Sequence, residues 1–140
     1  MVAWIIYALL SAAFAALVAI FGKAGIKDID STLATTVRAV IMAGFLVAVS
    51  LLLGKSHLLS SLNSKALTFI TLSGVAGAMS WLFYFVALKN GPASGVAALD
   101  RLSVVFVVIF AIVFLAEKLT WQTAAGAVLL TAGAILMSIR

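Results

Sequence analysis

Three ionisable residues fall inside apolar stretches of this chain, and any chemistry must start from them. Arg38 interrupts the mostly apolar stretch 31–53, and Asp100 and Arg101 stand side by side within the stretch 93–115. A guanidinium in apolar surroundings either pairs with a carboxylate of its own protein or receives an anion through its planar fork of N–H donors. Neighbouring helical positions point about 100° apart, so Asp100 and Arg101 do not readily satisfy each other. Asp100 is expected to reach Arg38 across helices. Arg101 is then left to snorkel, to pair elsewhere or to meet a solute. Two readings stand: a structural buried ion pair with one snorkelling arginine, or a polar cavity of net positive character suited to a carboxylate or phosphate. Trp81, Tyr84 and Phe85, spaced i, i+3, i+4, share one helix face. Trp81 and Tyr84 are expected to line such a cavity.

Other chemistries are not provided for. The chain has no cysteine, which excludes disulfides, thiolate zinc sites and a cysteine nucleophile. A single histidine, His57, lies in a short polar loop, and one histidine with four scattered acids makes a poor metal set. No Ser/His/Asp arrangement and no glycine-rich phosphate loop after a strand is present. No catalytic residue, metal or cofactor is expected.

The elements that must position these residues follow from composition. Of 140 residues, 66% are hydrophobic and only 9% charged, against roughly a quarter charged in soluble domains. The mean hydropathy is +1.32. The fold class is therefore an all-α integral membrane protein, a single domain over residues 1–140 whose first partner is the lipid bilayer. Five stretches are long enough to cross it at about 1.5 Å per residue, at about residues 2–22, 31–53, 66–88, 93–115 and 121–139. No basic region or cleavage site precedes the first, which reads as a retained helix. Asp30 or Ser31 is an expected N-cap of the second span. Small residues (Ser73, Gly74, Gly77, Ser80) make the middle of the third span packable. Phe106, Phe110 and Phe114 form an i, i+4, i+8 stripe for packing or lipid contact.

Arg38, Asp100 and Arg101 each fall about seven residues into a span that starts on the same side, and Trp81 lies about seven residues before the end of the span that finishes there. These residues, with Tyr84, are thus expected at a common depth of roughly 10–12 Å. The net charge of +5 sits mostly at helix ends and speaks to membrane orientation, not to nucleic acid. Lys23, Lys27, Lys89 and Arg140 fall on one side and Lys55, Lys65 and Lys118 on the other, four against three. With Arg38 and Arg101 added to the first side, the bias favours N-terminus out and C-terminus in, and dual topology stays open.

The run Ala87-Leu88, Gly91-Pro92-Ala93-Ser94, Val96-Ala97, Leu102, Val105-Phe106, Leu115, Glu117, Leu119-Thr120, Gln122, Gly126, Leu130, Gly133 resembles the second part of an EamA domain, the repeat unit of the drug/metabolite transporter (DMT) superfamily. The resemblance covers essentially the whole chain and is strongest from Trp81 to Gly133. It implies one half of an inverted-repeat DMT-type transporter, most members being similar to two such units fused in opposite orientations. A pore between inverted repeats then needs an antiparallel homodimer or a second EamA-type half. Gly126 and Gly133 resemble the heptad glycine seam through which small multidrug-resistance transporters dimerise, close packing within the chain being the alternative. Those relatives depend on a glutamate in their first helix. This first span has no acid. The implied function is movement of a small metabolite, anionic or zwitterionic, across the cell inner membrane by alternating access as a dimer. The alternatives are a subunit of a lipid-linked sugar-phosphate flippase and a non-transporting membrane scaffold.

Overall fold

Why these stretches become helices is visible at their ends. The carboxylate of Asp30 accepts the backbone N–H groups of Thr32 (2.9 Å) and Leu33 (3.0 Å), and α2 runs from there over Ser31–Leu52. Gly54 stops it in the left-handed region (φ 64°), where a residue without a side chain has no steric cost. The carboxamide oxygen of Asn63 accepts from Ala66 N–H at 2.7 Å, so α3 begins at Ser64 and takes Lys65 into its first turn. It ends at Asn90, against the Gly91-Pro92 turn.

The computed structural model describes residues 3–139. Among them are α1 (Ala3–Gly25), α2, a short 3₁₀ helix (Lys55–Ser61), α3 (Ser64–Asn90), α4 (Ala93–Asp100), α5 (Ser103–Leu115) and α6 (Trp121–Ser138), with no strand. Five stretches are long and apolar enough to span a membrane, α4 and α5 together making the fourth. The all-helical, five-span fold class is as the sequence predicts. Four details differ. α1 continues to Gly25, three residues beyond the expected 2–22. The polar stretch after Gly54 folds into the 3₁₀ helix. α3 extends two residues beyond the expected 66–88 at each end, because Asn63 caps it early and Pro92 stops it late. The fourth span is not one helix. It tightens at Arg101 and Leu102 into three-residue hydrogen bonds, Arg101 N–H to Ala98 C=O (3.2 Å), Leu102 to Leu99 (3.0 Å) and Val104 to Arg101 (3.1 Å).

The chain divides into two units, one of Met1–Ala24 and Asn90–Arg140, the other of Gly25–Lys89. In the first, α4 packs on α6 around Gly95, Ala98 and Ala134, all buried. Gly95 is needed there. A methyl added to it meets Pro92 Cγ at 3.3 Å and the Met137 carbonyl at 3.5 Å. Lys23, in the last turn of α1, donates to the Gly91 carbonyl at 2.8 Å, tying the end of α1 to the turn before α4. In the second unit, Phe85 and Leu88 are buried on α3, and Lys89 donates to the Ile29 carbonyl at 2.8 Å, holding the end of α3 beside the start of α2. Most large apolar side chains point outward, Phe114 at 76% and Leu52 at 87% exposure among them. A soluble protein would bury them. Here hydrocarbon covers them, and the helices satisfy their own backbone groups.

Candidate functional site

Arg38 stands seven residues after Ser31, about 10 Å along α2. Its guanidinium carbon lies 3.6 Å from the centroid of the Trp81 ring and 5.5 Å from that of Phe85. At 3.6 Å the guanidinium is in direct contact with the indole face. The ring quadrupole attracts the cation in this position. The indole is itself held by its neighbours on α3. Trp81 and Tyr84 meet edge to face with centroids 5.6 Å apart, and Phe85 lies 6.2 Å from Trp81 and 6.3 Å from Tyr84. Such arrangements fit the positive edge of one ring to the negative face of the next. Phe85 is 3% exposed and anchors the cluster, while Arg38, Trp81 and Tyr84 are half-buried and keep accessible surface.

Electrostatically, the cluster is a cation on an aromatic bed. Its unit contains two carboxylates, Asp28 and Asp30, and both precede Arg38 by at least eight residues. Asp30 is committed to capping α2. Its carboxyl is held below its ordinary value of 3.8, first by the N–H of Leu33, which works against desolvation, with smaller help from the N–H of Thr32 and the charge of Lys89. The hydroxyls nearest Arg38 on α2 are also committed: Thr35 donates to the Ser31 carbonyl (2.8 Å) and Thr36 to the Thr32 carbonyl (2.9 Å).

Asp100 and Arg101 belong to the other unit. Asp100 is the last residue of α4 and half-buried, and Arg101 is exposed within the tightened turn. The adjacent pair therefore occupies the interruption of the fourth span. Gly126 and Gly133 lie on α6, and a methyl added to either meets no atom within 4 Å. Leu129 and Leu136, on the same side of α6, are each 73% exposed, whereas Ala134 faces α4 and is buried. Among the described residues of their own unit, the two glycines make no close packing contact.

Of the sequence-predicted site residues, the structure brings Arg38, Trp81 and Tyr84 together, with Phe85 as a fourth member. Sequence reasoning aligned them in depth but did not read the indole face beside Arg38. The sequence signal stopped at depth: an arginine and a tryptophan at equal depth in spans that share a side. The Lys23–Gly91 and Lys89–Ile29 contacts went unread, since a lysine at a helix end looks the same whether it faces lipid headgroups or a carbonyl.

A capped bundle of outward-apolar helices carrying an internal cation defines a multi-pass membrane protein. Residues 2–139 match the EamA-like transporter family. A protein of Sinorhizobium sp. named as an uncharacterized transporter in the cobO 3′ region is 43% identical over 136 residues, covering 97% of this chain and 96% of that one. The chain belongs to the EamA-like transporter family. No solved structure matches it significantly.

Proposed function

We propose that this chain is one half of an alternating-access transporter for small anionic or zwitterionic metabolites in the cell inner membrane, completed by a second copy in the opposite orientation. The observation that carries the reading is Arg38, a cation inside a membrane span held on an aromatic face with no carboxylate of its own unit beside it. A charge at such depth is costly and rarely kept without use. Arg38 receives the anion, and Trp81 and Tyr84 line its path. Asp100 and Arg101, at the interruption of the fourth span, lie where transporters of inverted-repeat design break their helices. The pairing surface is α6 through Gly126 and Gly133, whose open faces let a second helix approach closely.

The test is uptake into proteoliposomes of pure protein, compared with protein-free vesicles, over a panel of carboxylates, phosphates and amino acids. Arg38→Ala protein that is equally helical is expected to show no uptake of the preferred solute. Full uptake by that variant removes Arg38 from the site and leaves a transporter with another site. No uptake of any solute by the parent protein overturns the transport reading.

A further inference from the structure

Within the transporter reading, on which this step rests, we infer that the Arg38–Trp81 stack selects a monocarboxylate carrying an apolar body. Three observations converge on that class.

The first is geometric. With one face of the guanidinium on the indole at 3.6 Å, the N–H donors remain in its plane, and Arg38 donates none of them within its own unit. A planar acceptor with two oxygens on one carbon meets two of these N–H groups side by side. A carboxylate is such an acceptor; a phosphate also fits the fork, and charge separates the two.

The second is charge. At the depth of the stack, Arg38 is the one cation of its unit. Lys89 stands eight residues beyond Trp81, about 12 Å along α3, and is engaged with the Ile29 carbonyl. A monoanion leaves the occupied site neutral. A phosphate monoester dianion or a dicarboxylate carries an unbalanced charge into an apolar medium, where such charges are heavily penalised.

The third is what surrounds the fork. Trp81, Gly77 and Gly74 follow one another at four and three residues and lie on one face of α3, with the two glycines progressively deeper in the membrane. A methyl added to Gly77 or Gly74 meets nothing within 4 Å, so the face of α3 that continues from the indole is open. The nearest hydroxyls of α2, Thr35 and Thr36, are already donated to carbonyls. That open face, with the rings of Trp81 and Phe85 beside it, accommodates an aryl or alkyl body without loss of a hydrogen bond.

The experiment uses full-length protein with Trp4→Phe and Trp121→Phe, which leaves Trp81 as the sole tryptophan fluorophore. It is titrated in detergent with 4-phenylbutyrate, 4-phenylbutyramide, phenyl phosphate and acetate. The charge-assisted fork predicts that phenylbutyrate binds about 10-fold or more tighter than its amide, and that Arg38→Gln abolishes this difference. Arg38→Lys, which keeps the charge but not the fork, recovers only part of it. Gly77→Leu, which covers the open face beside the indole, weakens phenylbutyrate and leaves acetate unchanged. Equal binding of acid and amide, an unaltered preference in the Arg38→Gln protein, or phenyl phosphate binding as tightly as phenylbutyrate overturns the assignment. Binding through Arg38 without uptake into proteoliposomes keeps the site and sinks transport. Uptake that Arg38→Gln does not alter keeps transport and sinks the site.

Discussion

Arg38 and Trp81 offset each other's liabilities. An arginine within a span costs about 2.5–3.5 kcal/mol on insertion scales, and an aromatic face returns about 0.5–2 kcal/mol of that. Trp81→Ala is therefore expected to lower stability by about 1–3 kcal/mol, through lost cation–π attraction and lost packing on Phe85, and Trp81→Phe by less than half as much. Unfolding in mixed micelles measures both, and equal losses would remove the aromatic face from the account. At the mouth of the same unit, Asp30 caps α2 as a carboxylate. Its pKa is depressed in the folded state, so its contribution is fully present above the ordinary value of 3.8 and disappears as pH falls through the lower folded value. Asp30→Ala should lower the unfolding midpoint at pH 7 and remove that acid-range dependence, while Asp30→Asn should keep most of the cap but lose the dependence. An unchanged acid limb in the Asn variant would count against the cap's role. The cap and the aromatic face were both legible in the sequence because both are local, settled within four residues of one helix. The guanidinium–indole contact was not. It joins two helices, and spacing along a chain fixes depth in the membrane but not how each helix is rotated about its axis.

Helices here are placed by their ends and by their small residues. α5 stops at Ala116 in the left-handed region (φ 54°), with Glu117 N–H reaching back to the Ala111 carbonyl at 3.2 Å. That reach is the helix-ending motif a glycine normally supports, and an L-residue there is disfavoured by about 1–2 kcal/mol. Ala116→Gly is expected to stabilise the protein by about 0.5–1 kcal/mol after its greater freedom in the unfolded chain is allowed for, read as a raised unfolding midpoint. A lowered midpoint would mean the turn is not formed. Gly95 is the opposite case. Its methyl position is already bounded by Pro92 and by the backbone of Met137 and Ser138, so Gly95→Leu must force α4 from α6 at a cost of about 1–3 kcal/mol. At Gly126 an added methyl meets nothing within 4 Å among the described residues, and the same change should leave folding unaffected. Comparable losses at both positions would contradict the difference in packing. The five spans were legible from length and composition. The interruption of the fourth was not, because neither glycine nor proline stands at 101 or 102 and the tightening to three-residue hydrogen bonds leaves no mark on composition.

For the molecule as a whole, the question is how one five-span chain makes a two-sided path. The basic residues divide four against three between the two sides, too evenly to fix one orientation. A single cysteine added at the C-terminus of this cysteine-free chain reports the outcome in intact cells through a membrane-impermeant thiol reagent. If copies insert both ways, about half should label without permeabilisation. Labelling that appears only after permeabilisation would show a single orientation and point to a heterologous second half. The stronger test moves the charges. Ser60→Lys with Ser61→Lys loads the side of Lys55 and Lys65, which then becomes cytoplasmic, so every C-terminus should label from outside. Lys55→Gln with Lys65→Gln removes charge from that side and should fix the reverse. Each biased protein alone has only one of the two orientations an antiparallel pair requires, so each should fold, reach the membrane and transport nothing. Expressed together, they supply one half in each direction, and uptake should return. Placing Gly126→Leu and Gly133→Leu in one of them should then abolish the recovery, since α6 no longer admits a partner helix. Transport by either biased protein alone, or silence from the mixture, would rule out antiparallel pairing even if the carboxylate site at Arg38 stands.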